Sequence, residues 1–265
     1  MDKKITIKDI ARQAGVSVAT VSYVLNNRTD QRISEETWKK VLQIINLMDY
    51  KPNSSAKSLS TSKTNCIALY MMSETSLLKR SEQLLLTEVL SEVLTLYGYH
   101  LILQDNKDIT KLNYVDAILC YDATYDFFHS IGDKNFIPVI AVDCLIDIPW
   151  FFQICTDYNN LRENAEKHFG VSNYTYVCLT PNNELLTALI RDTFKDVSFV
   201  PDLKDFTEIP EGNYVYSQKA LDYILQGKEN AFYIATDLRA KMMKVYSCIE
   251  LAINRVPSTE HMQFI

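Results

Sequence analysis

The chain has 265 residues, 47% of them hydrophobic and 23% charged, with a formal net charge of −6. That length exceeds one typical domain and leaves room for a small domain beside a larger one. Residues 1–60 hold ten Lys and Arg against six Asp and Glu, and the rest holds seventeen against twenty-seven; this split excludes a general polyanion binder, because only a basic head can approach nucleic acid while an acidic body is repelled.

Residues 6–26, TIKDIARQAGVSVATVSYVLN, predict two short helices joined by a glycine turn. Thr6 is placed to cap the first, with Asp9 three residues on in capping-box position. Ile7, Ile10, Ala11 and Ala14 fall on one face, and Gly15 supplies the backbone freedom that ends the helix. Ser17 is placed to cap the second helix, where Val18, Val21, Val24 and Leu25 recur at helical spacing. Val and Thr are mediocre helix formers, so packing has to hold this helix. Ala11 and Val21 suit a close crossing of the two helices. That leaves Val18, Ala19, Ser22 and Tyr23 for an outer, DNA-facing surface, and the helix's first amides suit a phosphate. A third helix follows the loop NNRTDQRI. Ser34 caps it, Glu35 and Glu36 favour its positive end, and Trp38, Val41, Leu42, Ile45, Leu47 and Met48 supply apolar mass. The pattern on its own also fits a small three-helix domain with another task.

The stretch Pro52–Lys63, PNSSAKSLSTSK, reads as a tether. Pro52 restricts Lys51 and ends what precedes it. Asn53 or Ser54 is placed to cap a short helix running to Leu59, too short to be stable without a partner. A plain flexible linker is the other reading.

From residue 64 the chain alternates strand and helix patterns. Strands are expected at Cys66–Met72, Tyr99–Gln104, Ala117–Tyr121 and Val139–Val142, with a helix over Glu82–Tyr97. A second set follows: helices at Tyr158–Phe169, Glu184–Phe194, Lys219–Leu225 and Leu238–Ile253, and strands at Tyr174–Leu179, Val197–Val200, Asn213–Tyr216 and Ala231–Ala235. Mostly apolar strand runs predict parallel sheets covered on both faces. Two such lobes make a cleft for a small molecule. The acidic residues at strand ends, Asp105, Asp122, Asp143, Asp157 and Asp237, lie where α/β sheets bind ligands, although Asp157 and Asp237 also suit helix caps. The segment between Gln104 and Val115 has room for only a turn or two of helix, where a parallel crossover generally needs a dozen or more residues.

No apolar run is long enough to span a bilayer, and the charged start is not a signal peptide, so a cytoplasmic protein without a membrane partner is expected. Cys66, Cys120, Cys144, Cys155, Cys178 and Cys248 form no CxxC pair and read as free thiols in a reducing compartment. The four histidines lack metal-ligand spacing, and no GxSxG, P-loop or dinucleotide fingerprint is present. The expectation is therefore no enzyme, no cofactor and no metal.

Three ordered blocks, TIKDIARQAGVSVATVSYVLNN, ISEETWKKV and MDYKPNSSAKSLSTSKT, resemble the N-terminal domain of the lactose/galactose repressor family of bacterial transcriptional regulators. The resemblance implies that Ser17–Leu25 enters the major groove, with Val18, Ala19 and Tyr23 at base edges and Thr6, Ser17, Thr20, Ser22 and Asn26 on phosphates. Tyr23 stands where many members carry Arg. The resemblance also implies that Asn53–Leu59 is a hinge helix that orders on the operator against its dimer mate. Ala56 would lie at the close helix contact, Lys57 at a phosphate, and Leu59 would be the apolar wedge in the minor groove.

GYHLILQD, VDAIL, IPVIAVD, TDYNN, FYIATDLRAKM and NRVPS match the family core more loosely, in order. They imply a periplasmic-binding-protein-like core of two parallel-sheet lobes behind an all-α helix-turn-helix head. They further imply a homodimer paired through the Glu82–Tyr97 region and an effector cleft using Asp143, Asp157, Arg191 and Asp237. The expected division is 1–51 head, 52–63 hinge, 64–157 first lobe and 158–265 second lobe. The chain ends in or just before the strand that should return to the first lobe, so a shortened core with an incomplete C-terminal end is expected. The implied function is a repressor acting as a homodimer on an inverted-repeat DNA operator under control of a sugar or sugar-like effector. Two other readings stay open: a constitutive DNA-binding dimer whose core has lost its effector, and a small-solute binding module with no DNA role.

Ordering the hinge costs about 1–2 kcal/mol of backbone entropy per residue, a cost met only when the body holds the paired hinges close enough to meet. Leu59→Ala is therefore expected to weaken specific DNA binding while leaving the head folded; an unchanged operator affinity in a titration sinks this role.

Overall fold

The computed structural model describes residues 5–25, 28, 30–48, 50, 63–171, 173–202 and 212–265. They fall into two compact units, Met1–Lys63 and Thr64–Ile265. The hinge positions Asn53, Ala56, Lys57 and Leu59, and Asn26 in the head, lie outside the described residues.

The first unit contains α1 (Ile7–Ala14), α2 (Val18–Leu25) and α3 (Glu35–Leu47). Among its described residues Ile10, Ala11, Ala14, Val21, Val24, Val41 and Ile45 are buried together. Ala11 and Val21 belong to this one cluster, as expected of a close crossing. The apolar mass assigned to α3 is only partly used. Trp38 and Met48 pack against the cluster from its edge, whereas Leu42 and Leu47 point outward, Leu47 with 77% of its surface exposed. At 100° per residue Leu47 falls on the side of the helix away from Val41 and Ile45.

The second unit begins with β1 (Cys66–Met71), α4 (Leu77–Leu96), β2 (His100–Gln104), β3 (Ala117–Tyr121), α5 (Tyr125–Lys134), β4 (Val139–Val142) and β5 (Gln153–Cys155). It continues with α6 (Tyr158–Phe169), β6 (Thr175–Leu179), α7 (Glu184–Thr193), β7 (Val197–Val200), β8 (Tyr214–Tyr216), α8 (Lys219–Leu225), β9 (Ala231–Tyr233), α9 (Leu238–Ile253) and β10 (Met262–Phe264). Among the described residues two sheets result, ordered β10-β5-β4-β3-β1-β2 and β7-β6-β8-β9, with every pairing parallel.

Alternation along β1 sorts its side chains to two covered faces. Ile67 and Leu69 pack with Leu86, Leu90, Val93 and Leu94 of α4 and with Met242, Val245, Cys248 and Ile249 of α9. Ala68 and Tyr70 face Phe128 and Ile131 of α5. In the smaller sheet, Tyr176, Cys178 and Val215 pack with α6 and α7, while Val177, Leu179 and Tyr216 pack with α8.

Several sequence expectations require correction. None of residues 105–116, between β2 and β3, is helical. The loop covers the sheet itself by burying Leu112 and Val115, and the buried Asn135 side chain accepts from the Leu112 amide at 2.8 Å. Helix α4 starts at Leu77 instead of Glu82, because Ser76 caps it by accepting from the Lys79 amide. Helix α5 was not anticipated, since Gly132 and scattered polar residues blur its apolar face; Thr124 caps it. The lobe division at residue 158 also fails at its far end. Helix α9 packs on the first sheet, and β10 pairs with β5 there, Gln263 opposite Ile154. The apolar stripe Val245, Cys248 and Ile249 on α9 is what places it, and periodicity alone does not say which sheet such a stripe covers.

Ile10 is fully buried in a head with few buried residues. Ile10→Ala is expected to cost about 2–5 kcal/mol. Hydrogen exchange on the full chain should then show head amides losing protection while those of β1, β3 and β4 keep theirs; equal loss in both units contradicts the division into two.

Candidate functional site

Two places combine exposure with directed polar groups. The first is the outer surface of the head. At the start of α1 the Thr6 amide and hydroxyl both donate to one Asp9 carboxylate oxygen, at 3.0 and 2.7 Å, and Arg12 bonds the other oxygen at 2.7 Å. Gly15 then takes a left-handed φ of 68° and its amide returns to the carbonyls of Ala11 and Arg12. A side chain there would be strained by backbone conformation alone. The chain leaves this turn into α2, where the Ser17 hydroxyl accepts from the Thr20 amide at 3.0 Å. Val21 and Val24 are buried, whereas Val18 and Ala19 are exposed and Ser22 and Tyr23 are half-buried. The predicted outer surface of α2 is thus turned away from the head's core. Thr6, Ser17 and Thr20, expected on phosphates, sit at the helix starts, where free amides favour an anion.

The second place is a cleft of about 730 Å³ between the two sheets of the second unit. The C-terminal ends of β3 and β4 open onto it through Asp122 and Asp143, with left-handed φ values of 46° and 47°. Such backbone is uncommon outside glycine and is tolerated best by Asp and Asn. Asp143 accepts from the Lys241 ammonium, which also reaches the Thr156 hydroxyl at 3.0 Å. Lys79 is buried between Glu74 at 2.8 Å and Asp122 at 3.0 Å. From the second lobe, Asn182 donates its amide to Asp122 at 2.8 Å and its side chain to Glu74 at 2.7 Å. The buried Asn183 side chain donates to the carbonyls of Ala123 and Leu145 and accepts from the Leu186 amide, at 3.1, 3.0 and 2.8 Å. On the opposite wall Glu82 accepts from the Ala220 amide of α8.

Aromatic and aliphatic groups complete the lining, among them Tyr121, Tyr158, Tyr176, Leu86 and Leu161. Burial raises the hydroxyls of all three tyrosines far above their ordinary value, so they remain neutral donors. It also pushes the Glu82 carboxyl up.

Of the residues predicted for an effector, Asp143, Asp157 and Asp237 line this cleft. Asp157 and Asp237 also cap α6 and α9, accepting from the amides of Asn160 and Ala240 at 3.0 and 2.8 Å. Arg191 does not line it. Leu186 and Ile190 turn inward from α7, which carries Arg191 to the exposed side, its guanidinium 5.3 Å from the Phe199 ring centre. Asp105 lies on the edge strand side and accepts from the Lys107 amide at 3.0 Å. Sequence reasoning missed Lys79, Lys241, Glu82, Asn182 and Asn183. One signal was present for Lys241: it shares an i, i+4, i+7 stripe with Val245 and Cys248, all three buried.

Burial pushes the Asp122 carboxyl up to about 6 from an ordinary 3.8, although Lys79 pulls it down. A carboxyl raised in the folded state contributes stability that is fully present below its ordinary value and is lost as pH rises through its folded value. Wild type is therefore expected to lose stability relative to Asp122→Asn between pH of about 4 and 6. Denaturant titrations of both proteins across that window check this; a difference that stays flat or moves the other way contradicts it.

Residues 6–53 match the model of the bacterial regulatory proteins of the lacI family. Over 224 residues the chain is 39% identical to the HTH-type transcriptional regulator RegA of Clostridium saccharobutylicum, covering 82% of this chain and 61% of that protein. Over 182 residues it is 31% identical to the probable HTH-type transcriptional repressor ExuR of Bacillus subtilis, covering 66% and 54%. The chain thus spans only part of the length of these relatives. The lac repressor dimer bound to operator and the anti-inducer ONPF shares its fold, with a TM-score of 0.64 at 14% identity over 99% of this chain and 96% of that one. Residues 6–53 thus carry a domain of the lacI family of bacterial regulatory proteins.

Proposed function

We propose that the protein is a sequence-specific DNA-binding transcriptional regulator, a repressor that acts as a homodimer on an inverted-repeat operator in the cytoplasm and performs no catalysis. The head carries this reading: two capped helices around the Gly15 turn put the outer surface of α2 on display, the arrangement in which a second helix enters the major groove. Val18, Ala19 and Tyr23 are assigned to base edges. Thr6, Ser17, Thr20, Ser22 and Asn26 are assigned to phosphates. Asn53, Ala56, Lys57 and Leu59 are assigned to the hinge. The exposed Leu84 and Leu96 on α4 support pairing of two copies through that helix.

The cleft is assigned to a small effector, with Asp143, Asp157 and Asp237 as contacts. Its described lining holds five carboxylates, of Glu82, Asp122, Asp143, Asp157 and Asp237, against the three ammonium groups of Lys79, Lys219 and Lys241. This balance favours an uncharged sugar or polyol, or an amine, over a phosphorylated ligand. Tyrosine walls with a few directed polar groups are the usual composition of such pockets. DNA and effector then compete through a coupling free energy between the two sites. A second reading, a constitutive DNA binder, has one observation on its side: the ammonium groups of Lys79 and Lys241 are already satisfied by the protein's own carboxylates.

The test retards DNA fragments from upstream of the neighbouring genes with the full chain and adds a panel of neutral and phosphorylated sugars. Retardation that a neutral sugar alters is the expected outcome. Retardation indifferent to every sugar, with no heat of binding by calorimetry, favours the constitutive reading. No retardation at low salt overturns the regulator.

A further inference from the structure

We infer that α2 reads its operator through thymine methyl groups instead of through hydrogen bonds to guanine. The preferred half-site then places thymines beneath Val18 and Ala19. This inference rests on the DNA-binding reading above and names what that surface selects.

The α2 sequence VATVSYVL contains no Arg, Lys, Asn, Gln, Asp or Glu. Recognition helices contact base edges with their N-terminal residues, and here the first two are aliphatic. Val18 is 41% exposed and Ala19 is exposed, although Val21 and Val24 already satisfy the core. A β-branched residue on a solvent-facing turn of a short helix is a poor choice for helix stability, so folding does not account for Val18. The polar groups of this first turn are engaged with one another. The Thr20 amide donates to the Ser17 hydroxyl, and the two hydroxyls bond at 2.9 Å.

Guanine is read best by a guanidinium that donates twice to O6 and N7. Farther along, α2 offers only the hydroxyls of Ser22 and Tyr23, and neither carries a two-donor fork. Arg28 follows the helix, but its Nε and Nη2 both donate to Asp30 at 2.8 Å. Arg12 on α1 is bound to Asp9. Within α2 the exposed side chains are those of Val18 and Ala19, so its most outward chemistry is methyl groups. In the major groove only thymine presents a C5-methyl, and apolar contact of Ala or another aliphatic group with that methyl carries sequence information without a hydrogen bond.

The test needs no protein variant. The full chain selects duplexes from a random pool, and the enriched sites are resynthesised with deoxyuridine replacing thymidine at one position at a time. Uracil keeps every hydrogen-bonding group and lacks only the methyl. Enriched half-sites are expected to carry dT beneath α2, and uracil there is expected to weaken binding about fourfold per methyl while uracil elsewhere has no effect. At the same positions 5-methyl-deoxycytidine should bind better than deoxycytidine. Enriched sites with fixed G·C pairs beneath α2 and indifference to uracil overturn the inference and leave the DNA-binding reading intact. A pool with no enrichment at any ionic strength overturns both.

Discussion

A parallel sheet has to be covered on both faces, and that constraint decides where this protein can put polar chemistry. The inner strands β1, β3 and β4 of the larger sheet are apolar on both sides because α4 and α9 cover one face and α5 with the loop carrying Leu112 covers the other. Charged side chains then appear only where these three strands stop. Asp122 and Asp143 stand at those stops, and their left-handed backbone turns the chain out of the sheet. Carboxylates brought this far inside need counter-charges. Lys79 and Lys241 supply them from the two helices that cover the same face. The cleft is a consequence of sheet burial, and its charge pattern is a consequence of the cleft. Losing either lysine leaves a buried charge without a partner, a defect worth about 3–5 kcal/mol where it has been measured.

The same groups fasten the lobes together. Asn182 bonds to Asp122 and Glu74, and Asn183 bonds to carbonyls on the other side of the cleft. Glu82 reaches the first turn of α8, and Leu78 packs into the cluster of the smaller sheet. A ligand entering between the sheets would meet contacts that already set the lobe spacing, the means by which the proposed effector would change it. The head obeys a different economy. It has few buried residues, so its caps at Thr6, Ser17 and Ser34 and the Gly15 turn carry a larger share of its definition.

Much of this was legible in the sequence because periodicity and caps are local. The three head helices, the Gly15 turn, the Ser17 and Ser34 caps and most strands of both sheets follow from them. The failures were tertiary. Helix α9 was assigned to the wrong lobe because a stripe of Val245, Cys248 and Ile249 fits either sheet. Arg191 was assigned to the cleft, yet Leu186 and Ile190 claim the inward face of α7 and turn Arg191 out. Lys79 and Lys241 escaped notice because a lysine on a helix is ordinarily solvated, and only the positions of Asp122 and Asp143 explain their burial. The short strands β5 and β10, three residues each, carry too little pattern to stand out beside longer runs.

The proposed function requires paired heads to place two copies of α2 in the major groove of one operator. Hydroxyl-radical footprinting of the full chain on a selected duplex tests it most directly. Two protected patches related by two-fold symmetry are expected, with centres about 10 base pairs, or a multiple of that, apart. A single patch, or uniform protection along the duplex, contradicts it.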